Sequence, residues 1–297
     1  MDINQIKSPL AGWMGGKRLL AKKIVPLIPE HTCYIEPFAG AAWILFSKPP
    51  AKQEDLNDIN RDVVNLYRVV RHHWSAFVDA IQWFVTSRAE FERFLDASPE
   101  NLTDIQRAVR FYYIHKLSFG GRMTGKRTFG YSATEPSNFN PDRIRQDMEA
   151  AHRRLARVTV EHLPYADVIQ RYDRPSTFFY LDPPYWGVEG YYGKGIFSRA
   201  DYARLASLLG NTSGKWLMSL NDIPGVRDTF RMFRIEAVSL FANHPATFAA
   251  YLHRHDDHVN GTTIPPSRRR SIQRGPRQRS SRSGSRLEMI TVGRCRL

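Results

Sequence analysis

Four consecutive residues, Asp182-Pro183-Pro184-Tyr185, directly follow a short apolar run at positions 178–181. Such a run is typical of a buried parallel strand, and ligands of open α/β sheets bind where these strands end. The Asp182 carboxylate and the Pro183 carbonyl can accept the two N–H bonds of an aromatic amine, which favours a pyramidal nitrogen with a free lone pair. Proline stiffens the chain that aims the carbonyl, and Tyr185 can stack on the ring. The segment predicts a site that activates an aromatic amine; a plain β-turn after a strand is the alternative.

The elements that must position this segment begin with a nucleotide-binding pattern near the N-terminus. Leu20 and Ile24 lie at helical spacing, and a short strand at residues 34–35 then leads into small residues at 39–42. A helix beginning at Trp43 and a second strand ending at Asp58 follow. This order is typical of an α/β unit that binds a nucleotide: a strand, a turn of small residues, a helix, and a second strand that ends in an acidic residue.

The middle of the chain is helical in pattern. Val63, Tyr67, Val70 and Trp74 lie on one helix face, and a capping box precedes another helix at residues 103–106. A glycine-rich loop or hairpin covers residues 116–140, and a helix starts at residue 141 with proline in its first position. Strands then return at residues 158–162, 178–181, 216–220 and 233–238, with a capped helix starting after residue 198.

We therefore predict one α/β domain with an inserted lobe. The catalytic domain comprises residues 1–60 and 157–241, and the helical lobe comprises residues 61–156. Residues 242–286 are rich in Arg, Ser and Pro, and we expect disorder there because little apolar surface is available for burial. Residues 287–297 are expected to hold a last strand and a tail.

The overall charge favours a polyanionic partner. The net charge is +14, of which residues 253–297 contribute more than half through eleven arginines against three acidic residues. This arginine-rich run is either a solvated segment or a phosphate-binding arm. The two cysteines have no metal-ligand spacing, and no window is apolar enough to cross a membrane. We expect a cytoplasmic monomer without a metal or a membrane partner.

Five segments, in order, resemble the Dam-like D12 class of adenine-N6-specific DNA methyltransferases. The catalytic segment at 182–185 is one of them. The others are Gly12-Trp13-Met14-Gly15-Gly16-Lys17, Glu36-Pro37-Phe38-Ala39-Gly40, Asn57-Asp58-Ile59-Asn60 and Ser219-Leu220-Asn221-Asp222. The resemblance extends over residues 8–238 and departs at Ala42, where the family often has glycine.

The resemblance implies a Rossmann-like S-adenosylmethionine-dependent methyltransferase sheet with a mainly helical DNA-recognition lobe. The cofactor would be S-adenosylmethionine and the partner double-stranded DNA. Trp13 and Lys17 would contact the cofactor, Glu36 and Phe38 would line its methionine side, and Gly40 would allow a close approach. Asp58 would accept hydrogen bonds from the ribose. Asp182 would face both the cofactor and the amine, within a catalytic segment comprising Asp182, Pro183, Pro184 and Tyr185.

The loop at residues 117–131 is the candidate for reading the DNA sequence. Arg122 or Arg127 can bind a guanine edge, and Lys126 is suited to a phosphate; a solvated basic loop is the alternative. The resemblance implies sequence-specific transfer to the N6 amine of an adenine that has been flipped out of the duplex. Two alternatives remain open. One is transfer to cytosine N4 or to an RNA adenine, and the other is a degenerate relative that binds DNA without turnover.

Overall fold

The structure is a computed structural model. It describes residues 6–13, 17–119, 127–132, 134–193 and 195–237, together with the backbone of two short strands at 248–252 and 289–291. The side chains of residues 191, 192 and 237 are outside this description.

The strands form a single mixed sheet with a parallel half. They are β1 (Cys33–Glu36), β2 (Gln53–Asn57), β3 (Val158–Glu161), β4 (Thr177–Leu181), β5 (Lys215–Leu220), β6 (Ile235–Ala237), β7 (Phe248–Leu252) and β8 (Met289–Thr291). Strands β3, β2, β1, β4 and β5 are parallel and adjacent in that order. Strands β7 and β8 each pair antiparallel with both β5 and β6. The strand order reverses between β1 and β4, which opens a crevice at their carboxyl ends.

Helices cover both faces of the sheet, which confirms the α/β fold that the sequence predicts. They are α1 (Arg18–Ile24), α2 (Trp43–Ser47), α3 (Arg61–Ile81), α4 (Arg88–Asp96), α5 (Asp104–Leu117), α6 (Pro141–Leu155), α7 (Tyr165–Tyr172), α8 (Arg199–Asn211) and α9 (Pro224–Thr229). Successive residues of β4 alternate between two apolar cores: Phe178 and Tyr180 join the core shared with α3, α5 and α6, whereas Phe179 and Leu181 join the one shared with α7, α8 and α9. This alternation explains why the strand is apolar throughout.

Helices α3, α5 and α6 lie in the stretch predicted as an inserted lobe, and the ends of α5 and α6 match the sequence signals. Thr103 and Gln106 form the capping box of α5, and Pro141 begins α6. Val63 and Tyr67 are buried on the predicted face of α3. The helix departs from regular geometry at His73, so Trp74 is only partly buried against the core.

A buried ion cluster joins α6 to the sheet. Glu54 of β2 accepts hydrogen bonds from Lys48 Nζ at 2.6 Å and from Arg154 of α6 at 2.5 and 2.9 Å. The same guanidinium donates to the carbonyl of Leu45 in α2 at 2.9 Å. Because Lys48, Glu54 and Arg154 are all less than a tenth exposed, each charge depends on the others for compensation.

The sequence pattern missed three elements. Helices α7 and α9 are short and lie between strands that the sequence located. Strand β7 lies inside the 242–286 segment, where we expected disorder; its apolar run from residue 248 to residue 252 can pair with β5. The remainder of that segment lies outside the described residues. Strand β8 falls within the last strand expected at residues 287–292.

The predicted hairpin between α5 and α6 is described only in part. Ser118 and Phe129 form an antiparallel bridge at its base. Across the described ranges, every helix is too short or too polar to cross a membrane.

Candidate active site

The carboxyl ends of the parallel strands surround a cavity of about 480 Å³. The predicted cofactor residues all lie in its wall: Trp13, Lys17, Glu36, Phe38, Gly40, Asp58 and Asp182. Pro184 of the predicted catalytic segment lies there too. These residues come from chain positions as far apart as 13 and 184, so the fold alone brings them together. The volume falls in the range of pockets that hold cofactors. Their binding roles stay predictions.

Asp182 begins the segment after β4 and lies between two donors. Lys17 Nζ, at the start of α1, lies 2.9 Å from its Oδ1, and Ser219 Oγ of β5 donates to the same oxygen at 2.8 Å. Ser219 has one proton to donate, so the hydroxyl of Tyr180, 3.0 Å away, donates to Ser219. Burial raises the pKa of Asp182, whereas Lys17 and Ser219 oppose that rise. The two donors therefore favour the ionised acceptor form.

The rest of the catalytic segment is held at the Pro184 carbonyl. Tyr202 of α8 donates its hydroxyl proton to this carbonyl at 2.8 Å. The Lys17 ammonium lies 4.7 Å from the centre of the Tyr185 ring. Pro183 and Tyr185 are not among the residues that line the cavity, although Asp182 and Pro184 are.

Glu36 is buried at the end of β1. Its Oε1 accepts hydrogen bonds from the Tyr34 hydroxyl at 2.7 Å and from the Leu45 N–H at 2.8 Å. The pKa of Glu36 is raised to about 8. Burial is the largest cause and nearby Asp182 adds to the rise, whereas the two hydrogen bonds and Lys48 oppose it. Near neutral pH this side chain is mostly a neutral acid that a cationic ligand can ionise.

Asp58 holds the glycine turn from the next strand. Its Oδ2 accepts from the Gly40 N–H and its Oδ1 from the Asn60 N–H, both at 2.8 Å. Each carboxylate oxygen has a second lone pair, so Asp58 can still accept hydrogen bonds from a diol in the cavity. Gly40 has φ +45°, and an added Cβ would lie 3.2 Å from Trp13 Nε1. Glycine therefore suits this turn, because it avoids both the strain of the left-handed conformation and a tight contact with the indole.

Ala42 adopts the left-handed conformation, with φ +48° and ψ +37°, immediately before α2. This is the position at which the sequence departs from the family's glycine. The backbone conformation is the one that glycine adopts without strain, and alanine occupies it here at some cost.

Tyr165 and Phe197, which the sequence did not predict, join the predicted Phe38 in an aromatic part of the cavity wall. Phe38 stacks on Tyr165 with ring centres 5.2 Å apart, and Phe197 meets Phe38 edge-on at 6.0 Å. The Tyr165 hydroxyl donates to Asp201 at 3.0 Å, and Asp201 also caps α8. One feature of the sequence could have indicated this group. The capping box at residues 198–201 places Asp201 at the start of α8, beside the edge of the sheet.

The three predicted DNA contacts are only partly described. Arg122 and Lys126 lie outside the described residues. Arg127 is partly buried, and burial lowers the pKa of its guanidinium while nearby Asp62 opposes that change. Its role in reading DNA stays a prediction.

The donor set fits S-adenosylmethionine. Its charged groups include a sulfonium and an ammonium, and the cavity wall carries the carboxyl groups of Glu36, Asp58 and Asp182. Asp58 has acceptor capacity for a ribose diol, and the rings of Trp13 and Phe38 offer aromatic surface. The close contact at Gly40 forms a cradle that a Cβ would fill.

Comparison with known proteins supports this fit. The family described as D12 class N6 adenine-specific DNA methyltransferase matches residues 13–242. The type II methyltransferase M.CviBI of Paramecium bursaria Chlorella virus NC1A is 28% identical, covering 75% of this chain and 86% of its own. A DNA adenine methylase of Vibrio cholerae is 28% identical over 76% of this chain and 86% of its own. The DNA adenine methylase of Escherichia coli K12 is 28% identical over 58% of this chain and 63% of its own.

Proposed function

The chain belongs to the D12 class of N6 adenine-specific DNA methyltransferases, and we propose that the cavity between Asp58 and Asp182 is where it transfers the methyl group. As a member of this family it methylates adenine in DNA with S-adenosylmethionine as the methyl donor. The observation that carries the proposal is the Asp182 carboxylate, which is held by Lys17 and Ser219 in the wall of the same cavity as Glu36 and Asp58.

The chain's own residues prepare the amine. The N6 lone pair of adenine is delocalised into the ring, which makes the nitrogen a poor nucleophile. Asp182 accepts a hydrogen bond from one of its N–H groups and the Pro183 carbonyl accepts one from the other, which localises the lone pair on the nitrogen. The proton that the nitrogen loses on methylation leaves along the hydrogen bond to Asp182. Lys17 opposes the rise that burial causes in the Asp182 pKa and so favours the ionised carboxylate, which is the stronger acceptor. Tyr185 stacks on the base and recovers part of the cost of removing it from the duplex.

The cofactor supplies an electrophilic methyl group on its sulfonium. Of the residues that line the cavity, Glu36 and Phe38 would hold the methionine side of the cofactor, Asp58 would hold its ribose, and Trp13 and Lys17 would contact it from the N-terminal segment. Holding amine and donor in fixed relative positions contributes several kcal/mol to lowering the barrier. The chemistry at these residues requires no metal.

The helical lobe reads the target sequence in this proposal. It comprises residues 61–156, beside the catalytic parts at 1–60 and 157–241. Arg122 or Arg127 contacts a guanine edge and Lys126 contacts phosphate, as the composition of their loop predicts. The protein acts as a monomer on duplex DNA, and size-exclusion chromatography with light scattering tests that state.

Product analysis tests the function. Purified protein is incubated with methyl-labelled S-adenosylmethionine and duplex DNA, and the DNA is digested to nucleosides. We expect label only in N6-methyldeoxyadenosine. Asp182→Ala should lower the rate at least about 100-fold, because it removes a transition-state acceptor, whereas Asp96→Ala at an exposed position should not.

The possible products separate the alternatives. Label on N4-methyldeoxycytidine, or transfer to RNA in preference to DNA, would overturn the assignment of the target. An absence of label from folded wild-type protein that binds DNA and cofactor would identify a non-catalytic relative. Full activity in Asp182→Ala would remove the proposed role of the carboxylate.

A further inference from the structure

The catalytic segment cannot be held by the sheet. Pairing between β4 and β5 reaches Leu181 and Met218, and the chain then enters Pro183 and Pro184. Neither proline has an N–H group, so neither can continue the parallel ladder. The direction of the Pro183 carbonyl and of the Tyr185 ring must therefore be set by side chains that hold the chain on either side of them.

Asn221, the first residue after β5, provides such a contact. Its Oδ1 accepts from the Trp186 N–H at 3.0 Å, and its Nδ2 donates to the Trp186 carbonyl at 2.9 Å. One side-chain amide thus satisfies both backbone groups of the residue that follows Tyr185. It pairs with the backbone as a neighbouring strand would, at a point where the neighbouring strand has already ended.

The Trp186 ring is held as well as its backbone. Tyr202 lies against it with ring centres 4.9 Å apart, and the Arg199 guanidinium lies 4.0 Å from the ring centre. From α9, a Cβ added at Gly225 would come within 2.5 Å of the indole. Since an indole cannot move aside as a flexible side-chain end can, Gly225 leaves no room for any larger residue.

We propose that Asn221 is a positioning residue for methyl transfer: by holding the backbone of Trp186, it fixes Tyr185 and the Pro183 carbonyl against the target amine. Pro184 is held on its other side by the Tyr202 hydroxyl, so the catalytic turn is fixed at two points by two elements. Asn221 is not among the residues that line the cofactor cavity, and its side-chain hydrogen bonds described above go to Trp186, whereas Ser219 bonds to Asp182. This inference rests on the proposed function of the segment.

Asn221→Ala tests the proposal, with Asn211→Ala as the matched control. Asn211 also donates from its side-chain amide to a backbone carbonyl, Ser207, but at the exposed end of α8. For Asn221→Ala we expect kcat to fall by about 100-fold, the cost of a misplacement near 1 Å. The Kd for S-adenosylmethionine, measured by calorimetry, should stay within about twofold because the cavity wall is unchanged. Asn211→Ala should match wild type in both.

Hydrogen exchange gives a readout that does not need turnover. In Asn221→Ala the Trp186 amide loses its acceptor, so peptides containing Trp186 should exchange faster than in wild type or Asn211→Ala. Gly225→Ala displaces Trp186 by pressing on its indole from α9, so it should lower kcat in the same way. This variant replaces Asn221→Ala as the test if Asn221→Ala does not fold.

Two results would overturn the proposal. One is a wild-type kcat in Asn221→Ala despite faster exchange at Trp186; the other is a Kd for the cofactor that rises in parallel with the loss of rate. A failure of the proposed function is distinguishable, because wild-type protein would then yield no N6-methyldeoxyadenosine at all.

Discussion

Cofactor binding should release a proton from Glu36. The side chain is 1% exposed, and burial raises its pKa to about 8. Both hydrogen bonds that it accepts from the described residues go to Oε1, so Oε2 remains for a ligand. A ligand with a sulfonium and an ammonium favours the ionised carboxylate and lowers its pKa in the complex. The affinity for the cofactor is then linked to pH.

The size of the effect follows from the fraction of Glu36 that is ionised before binding. With a pKa of about 8, about 1% is ionised at pH 6 and about 10% at pH 7. The Kd for S-adenosylmethionine should therefore fall about tenfold between these values, in a window that lies below the pKa of the ligand's own amino group. Titration calorimetry in buffers of different ionisation enthalpy should show nearly one proton released per cofactor at pH 7.

Glu36→Gln is the control that isolates this group. Glutamine keeps an oxygen that can accept from Tyr34 and Leu45, but it has no proton to release, so its Kd should be nearly independent of pH in the same window. The reasoning is refuted if wild-type affinity does not change between pH 6 and pH 7, or if Glu36→Gln shows the same slope. A proton taken up on binding would refute its sign.

Two further substitutions test the stability of the fold. Glu54→Gln should lower the free energy of unfolding by about 3–5 kcal/mol, since it leaves two buried cations without their counterion. Urea denaturation measures this, and Glu149→Gln, at a partly exposed ion pair, should change the same free energy by less than about 0.5 kcal/mol. Burial raises the pKa of Asp55 to about 7, so the folded chain binds more protons than the unfolded chain between about pH 4 and pH 7, and stability falls as the pH rises through that window. Asp55→Asn keeps an acceptor for Tyr172, removes the Asp55 contribution to this slope and should be roughly 2–4 kcal/mol more stable than wild type at pH 8. An unchanged slope in urea denaturation across that window would contradict the assignment, and Asp96→Asn should leave the slope as it is in wild type.

Features that depend on neighbours in the sequence could be predicted from it. The apolar strand before Asp182, the capping box at residues 103–106 and the proline that begins α6 all depend on contacts within a few residues. The cofactor residues were assigned through the resemblance to the D12 class, and the α/β pattern predicts that the sheet brings the segments that carry them to one edge. Their co-location required only the fold class.

Contacts between distant side chains could not be predicted in this way. Lys17 and Asp182 are separated by more than 160 positions, and nothing in their own segments indicates that they pair. The hydrogen bonds from Asn221 to Trp186 depend on how two loops lie after their strands have ended. The segment containing Ser219 and Asn221 was noted only as a resemblance, and its contacts with the catalytic turn became apparent from the packing of β4 beside β5.

The backbone of one residue, Leu45, links the wall of the cavity to α6. Its N–H donates to Glu36 in the cavity wall, and its carbonyl accepts a hydrogen bond from Arg154 of α6. A movement of α6 on DNA would therefore shift the donor on which Glu36 depends, and a change at Glu36 would shift the acceptor of Arg154. Such mechanical coupling is reciprocal in free energy, so any help that DNA gives to cofactor binding must equal the help that the cofactor gives to DNA binding.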